Sequence, residues 1–223
     1  MDFSEVARTC FAARDFTDEA IPDHALYRIL EHARFAPSGG NRQGWRVIVV
    51  RDPAARRRLA DLCVPTFQRY LAQMRAGENP WNTIVPTQVS DADIDKVVVD
   101  FPLLNHIESV PVMLVVAVDL RVVASFDRDL PRVGVISGAS VYPFVWSLLL
   151  AARNEGYGGV LTTFLAGSEQ AVQKELGLPD YCAVAAMVPL GRPVKQLTKL
   201  TRKPVEEFAT LDRFDGEAFT AKG

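Results

Sequence analysis

Residues 133 to 152, "VGVISGASVYPFVWSLLLAA", carry no charge between Arg132 and Arg153. No other feature constrains the fold as tightly, because so long an uncharged run must be kept from water over most of its length. Its length alone would suit a bilayer span. Gly134, Ser137, Gly138, Ser140 and Pro143 dilute its apolarity, however, and no second segment approaches it, so a membrane span is rejected. What remains is a helix buried on all sides, in a domain core or at a subunit interface.

The rest of the chain can supply that core. At 223 residues, 48% hydrophobic and 23% charged, it suits a single domain spanning 1–223. Leu26, Ile29, Leu30 and Ala33 define one apolar face of a helix over 22–34, with proline at its start and a stop at Pro37. "WRVIVV" (45–50) reads as a buried strand. "RDPAARRRLADLC" then starts a helix with Asp52 as N-cap and Pro53 at its first position, and "ARRRL" (55–59) reads as its solvated face. Residues 64–109 are the least regular and are expected to form an insertion or lid, with a helix ending near Gly77. "VPVMLVVAVDL" (110–120) and "CAVAAMVPLG" (182–191) are strands, "GYGGVLTT" (156–163) a glycine-rich turn, and "SEQAVQKELGL" a helix. From Arg192 to 223 the chain reads as an extended arm that needs a surface to lie on.

Several chemistries are excluded. Lysine plus arginine (25) against aspartate plus glutamate (27) gives a net charge of −2, which offers no basic field for nucleic acid. Cys10, Cys63 and Cys182 are odd in number and far apart, as free thiols in a reducing compartment are. The amino terminus "MDFSEVARTC" lacks a hydrophobic signal region, and a cytoplasmic location is expected. His24, His32 and His106 do not share a metal-binding spacing, so no metal is expected. The phosphate loop of nucleotide triphosphatases is absent, as is a nucleophile elbow, and "GYGGVL" places Leu161 where a dinucleotide fingerprint needs its third glycine.

What survives is a pair of glycine-rich polar turns. The first, within "FAPSGGNRQGW" (35–45), holds far more polar and flexible chemistry than a turn requires; the second is 156–163. Backbone amides in such loops can approach a flat or anionic ligand closely, since glycine has no side chain to hold it off.

At this point "ILEHARFAPSGGNRQGWRVIVVRD" closely resembles the hallmark of the FMN-dependent nitroreductase family: an apolar helix ending in A-P-S, then N-x-Q, a tryptophan and a strand. The likeness continues through Arg14 and Phe16, "LLLAAR", "EGYGGVLTT", "VPLGRP" and "TRKP", in the family's order. It implies an α+β fold, a mostly antiparallel sheet flanked by helices around the long buried helix. It also implies an intertwined homodimer, with FMN at the interface and the carboxy-terminal arm crossing onto the partner. FMN phosphate and ribityl contacts would fall on Arg14, Pro37, Ser38, Gly39, Asn41 and Arg202, with Gln43 near the isoalloxazine ring. Leu161, Thr162 and Thr163 would pass the flavin N5 edge.

The resemblance further implies ping-pong transfer of electrons from NAD(P)H to an electron-poor small molecule, a nitroaromatic or quinone. The flavin carries the chemistry, and no side chain is assigned as general acid. Relatives that remove halogen from halogenated tyrosines or fragment flavin mark a second reading, and a non-catalytic FMN-binding regulator a third. Phe67, Tyr70, Trp81 and Phe101 are candidates either for the acceptor pocket or for the core. The chain departs from the family pattern at Gly44, where proline is usual, and at Trp146 and Ser147, where a Q-N pair is common. It also supplies Arg14 as the sole cation in "CFAARDF".

Overall fold

Two neighbouring strands, buried along almost their whole length, form the spine of the molecule. The structure is a computed structural model that describes residues 1–221. Strand β1 (Trp45–Val50) pairs with β2 (Val112–Asp119), β2 with β4 (Cys182–Gly191), and β4 with the short β3 (Gly158–Gly159). The order is β1-β2-β4-β3 and every pairing is antiparallel.

Every residue of β2 is buried because alternate side chains enter two different cores. Val112, Leu114, Val116 and Val118 pack with α2 (Asp23–Ala33) and α6 (Tyr142–Asn154). Met113 and Val115 pack with α3 (Pro53–Arg75) and with Val172 of α7 (Glu169–Leu176). Short helices α1 (Phe3–Thr9), α4 (Asp91–Asp95) and α5 (Pro102–Asn105) complete the set. The arm beyond Gly191 contains neither an α-helix nor a strand among the described residues, only a 3-10 turn at Val205–Glu207 and two isolated bridges, Phe16 to Pro193 and Thr210 to Ala218.

Local signals set most boundaries. β1 and β4 occupy the expected residues. The Asp52 carboxylate accepts the backbone N–H groups of Ala54 and Ala55 at 3.1 Å each, opening α3 at Pro53. α3 does not stop at Cys63, however. It continues through Pro65 to Arg75, because Leu59, Ala60, Cys63 and Phe67 enter one core and their packing outweighs the lost backbone bond. The "ARRRL" face also differs from expectation. Arg56 is 7% exposed, and its guanidinium donates to the carbonyls of Val50 (2.9 Å), Glu108 (3.1 Å) and Val110, fastening α3 to the ends of β1 and β2.

The charge-free run is helical only in its second half. α6 begins at Tyr142, and a 3-10 turn, Ile136–Ser140, precedes it. The reason is Asp127, whose carboxylate accepts the Val135 and Ile136 amides (2.7 and 3.4 Å) and the Arg132 guanidinium (2.7 Å). With those amides committed to a side chain, Val133–Ile136 cannot join the helix and instead stand exposed. Within the single chain α6 is not buried on all sides, since Trp146 is 47% exposed. Among the described residues no helix is long and apolar enough to cross a membrane.

Backbone amides and Arg132 hold the Asp127 carboxyl below the usual aspartate range. A lowered native pKa contributes stability above the ordinary aspartate pKa and loses it as pH falls through the native value. Asp127→Asn should therefore increase proteolytic cleavage in 120–140 at neutral pH, and the difference from the parent should shrink below about pH 4. Identical cleavage at neutral pH would show that Asp127 does not order the segment.

Candidate functional site

The site begins where the sheet runs out of cover. β3 is an edge strand, and Ala12 bridges its Gly159 in parallel while the Ala13 amide donates to the Gly159 carbonyl at 3.0 Å. Beyond Gly159 no backbone partner among the described residues covers the edge. Val160 donates to Pro189 (3.4 Å), and Thr162 and Met187 exchange both backbone bonds at 2.9 Å. That alternation turns the intervening amides of Leu161 and Thr163 away from β4, and among the described residues neither finds an acceptor.

A cavity of about 830 Å³ opens over this edge, lined by Arg14, Leu161, Thr162 and Thr163 on the sheet side. Its opposite wall comes from α3 and the residues after it: Thr66, Phe67, Tyr70, Trp81 and Phe101. The volume and apolar walls suit a small organic ligand. Phe67 has both of its expected roles. It is 8% exposed, within the second core, and its ring centroid lies 4.7 Å from Phe164 and 5.0 Å from Phe101. Core and pocket wall are one aromatic cluster.

Among the described residues no carboxylate lines the cavity. Arg14 is exposed, its guanidinium donates to the Ala12 carbonyl at 3.2 Å, and it forms no ion pair among the described residues. An unpaired cation beside open amides favours a ligand with anionic and acceptor groups. Thiol chemistry is disfavoured: burial pushes the Cys63 thiol up to about 12 and raises that of Cys10. Among the described residues no cluster of three or more His, Cys, Asp or Glu is placed to hold a metal.

Pro37, Ser38, Gly39, Asn41 and Gln43 form a second cluster, separate from the cavity lining. The Ser38 hydroxyl accepts the Gln43 amide (2.9 Å), the Ser140 hydroxyl accepts the Gly39 amide (3.2 Å), and Gln43 Nε2 donates to Asn41 Oδ1 (3.0 Å). Gly40, Asn41 and Gln43 are left-handed, with φ of 60°, 52° and 51°. Asparagine tolerates that region; glutamine there costs on the order of 1–2 kcal/mol. Arg202 stands apart in the arm, donating to the Thr201 carbonyl at 2.7 Å. One chain thus gathers Arg14 with Leu161, Thr162 and Thr163, and leaves the other predicted residues elsewhere.

Gly44 has a local reason to replace proline. A Cβ there would lie 2.9 Å from Val122 Cγ2, and its carbonyl accepts the Asp119 amide at 2.8 Å. The turn after β2 packs directly on it. Sequence reasoning missed Thr66, Phe164 and Gly167. The signal for Gly167 is steric and long-range, since a Cβ there would fall 2.0 Å from Thr66 Oγ1, so only glycine lets the 164–168 turn touch α3.

Comparison with known proteins bears on the family and the fold. The model of the Nitroreductase family matches residues 7–192. A protein of Thermus thermophilus named NADH dehydrogenase is 30% identical over 195 residues, covering 86% of this chain and 87% of that protein. The iodotyrosine deiodinase of Nematostella vectensis is 28% identical, with 89% and 70% covered. Among solved structures, an iodotyrosine deiodinase bound to FMN and 3-iodo-L-tyrosine has the same fold, with a TM-score of 0.67 at 22% identity over 95% of this chain and 99% of that one.

Relieving the left-handed strain separates stability from function. Gln43→Gly should raise thermal stability by up to about 1 kcal/mol, a few degrees in Tm, because glycine adopts this φ without the Cβ clash. A lower Tm by calorimetry would mean that the Gln43 side-chain bond to Asn41 outweighs the strain.

Proposed function

The chain belongs to the nitroreductase family, and from that premise we propose that it is an FMN-dependent oxidoreductase passing electrons from NAD(P)H to a flat, electron-poor acceptor such as a nitroaromatic or quinone. The observation that carries the reading is the uncovered edge at Leu161–Thr163, beside an aromatic-walled cavity and an unpaired arginine. These donors fit FMN: the two open amides suit the acceptor atoms along an isoalloxazine edge, and a guanidinium suits a phosphate. Bound FMN would supply a two-electron carrier serving donor and acceptor in turn.

The residues have distinct tasks in this reading. Arg14 neutralises the phosphate. The Leu161 and Thr163 amides fix the ring's orientation, and Thr162, bonded twice to Met187, keeps those amides in place. Phe67, Phe101 and Phe164 exclude water from the acceptor's side of the cavity. No side chain is assigned as proton donor. The NADH dehydrogenase relative supports a nicotinamide as electron source.

The remaining predicted contacts, Pro37, Ser38, Gly39, Asn41, Gln43 and Arg202, are assigned to a site completed by a second copy. Support comes from exposed apolar side chains that a lone chain would leave in water. Phe126, Phe208 and Phe214 are 89%, 69% and 102% exposed, and the arm beyond Gly191 lies mostly on the surface. Residues 64–75 continue α3, and Leu103, Leu104 and Ile107 are buried in the second core, so the lid is confined to the stretch between them, and the whole chain is one domain. Three buried free thiols fit a reducing, cytoplasmic setting. The iodotyrosine deiodinase relatives favour one alternative chemistry in the same cavity, reductive removal of halogen from a halogenated phenol.

Purified protein should be yellow, should release FMN on denaturation and should bleach with NAD(P)H under anaerobic conditions. Protein that stays colourless and binds no added FMN would overturn the reading. Arg14→Ala and Arg202→Ala should each weaken FMN binding by roughly tenfold or more, as loss of a charge-assisted phosphate bond does. Screening nitroaromatics, quinones and halogenated phenols separates reductase from dehalogenase.

A further inference from the structure

The cavity over the sheet edge has a neighbour. A second cavity, of about 480 Å³, adjoins it at Arg14 and Phe101, which line both. One wall of this cleft is the chain just after Arg14, Asp15 and Phe16; the other is the α5 region, with Pro102, Leu103 and His106. Both walls are anchored. The Val194 amide donates to the Asp15 carbonyl (3.1 Å), the Thr17 amide donates to the Arg192 carbonyl (2.9 Å), and the Arg192 guanidinium pairs with both Glu19 carboxylate oxygens. Opposite, Leu103, Leu104 and Ile107 are buried in the second core, and the Ser109 hydroxyl donates to the His106 carbonyl at 2.8 Å. A cleft between two fixed segments is preformed for a ligand.

Its chemistry differs from that of the first cavity in one respect, the presence of an acid. Asp15 is a lining residue, and among the described residues its carboxylate accepts no hydrogen bond and forms no ion pair. Arg192, which could have answered it, is committed to Glu19. The His106 imidazole is exposed and likewise engages no protein group among the described residues. Phe16, Pro102 and Leu103 add apolar faces. An unspent acceptor, an unspent imidazole and apolar walls suit a nucleoside better than a bare anion.

We propose that the second cavity receives the adenosine end of the nicotinamide donor, and that Asp15 makes that donor NADH in preference to NADPH. Adenine packs on the apolar faces, His106 donates to the diphosphate, and the Asp15 carboxylate accepts the hydroxyls of the adenosine ribose. A carboxylate in that position is a general means of selecting the unphosphorylated dinucleotide, because a 2′-phosphate would set a second anion against it. Arg14, on the shared wall, still answers the flavin phosphate. The inference rests on the oxidoreductase reading, which supplies both the dinucleotide and the flavin that leaves its adenosine half to lie beside the first cavity.

ADP-ribose and its 2′-phosphate lack the nicotinamide, so they probe the cleft without turnover. Calorimetric titration of the flavin-loaded, oxidised protein should show ADP-ribose binding about tenfold or more tighter than the 2′-phosphate. Asp15→Asn should bring the two within about twofold, whereas His106→Ala should weaken both by a similar factor. Both residues are exposed, so neither substitution threatens the fold. In steady state the parent should favour NADH over NADPH in kcat/KM, and Asp15→Asn should narrow the gap through KM for NADPH. No binding of ADP-ribose, equal affinity for the two nucleotides in the parent, or a preference that survives in Asp15→Asn would overturn the proposal, as would ADP-ribose binding unchanged in His106→Ala. Protein that holds no FMN would refute the oxidoreductase reading instead, while the same titrations still decide whether the cleft binds adenosine nucleotides.

Discussion

The candidate site depends on an interrupted hydrogen-bond ladder. A sheet edge is ordinarily a liability, and here the chain covers it only as far as Gly159, with the segment at Ala12–Ala13. Three residues later the paired bonds between Thr162 and Met187 hold the backbone firmly on one side, which leaves the other side rigid and open. Rigidity and openness together are what a planar, hydrogen-bonding ligand requires. Had the amino-terminal segment continued along β3, Leu161 and Thr163 would have spent their amides on it. Arg14 stands where that segment leaves the edge, so the same departure that exposes the amides delivers the cation.

The facing wall depends on a different balance. Pro65 lies inside α3, where it removes a backbone bond, yet the helix continues because four of its side chains are buried in one core. Two neighbouring carbonyls take side-chain donors: Leu62 accepts the Ser168 hydroxyl at 2.8 Å, and Thr66 accepts the Trp81 indole. One of these donors brings the 164–168 turn onto the helix and the other brings Trp81. Arg56 anchors the start of the helix to the sheet with three backbone acceptors, so the wall is tied at one end to the sheet whose other edge it faces.

Much of this was legible in the sequence wherever the cause is local. The Asp52-Pro53 start of α3, the two long strands and the helix before Pro37 follow from capping and period, and the structure places each within a residue or two. The failures have non-local causes. Reading the helix that starts at Asp52 and the one ending near Gly77 as separate segments is sound locally and fails because tertiary packing carries α3 through Pro65. Extending α6 back to residue 133 fails because Asp127, several residues upstream, takes amides that the helix would have used. Arg56 looks solvated from its neighbours, and only the fold brings three carbonyls to it. Among the candidate site residues, Arg14 and 161–163 came together although 147 residues separate the arginine from the first of them; the family resemblance, and no spacing rule, linked them.

The loop at 37–43 poses the question that the single chain leaves sharpest. It holds three left-handed residues in four, and one of them, Gln43, is a residue type that pays for that conformation. Ser38 and Ser140 lock the loop from both ends, so the strain is imposed by the fold and is not a surface accident. Its polar side chains nevertheless contact little beyond one another. A strained, locked and outward-facing polar loop makes physical sense if the groups it presents meet something outside the chain. The open edge over the cavity has the complementary character, with donors fixed in place and only part of a ligand's surface covered. On the proposed reading these are two halves of one polar site, which a two-fold arrangement of two copies would bring together.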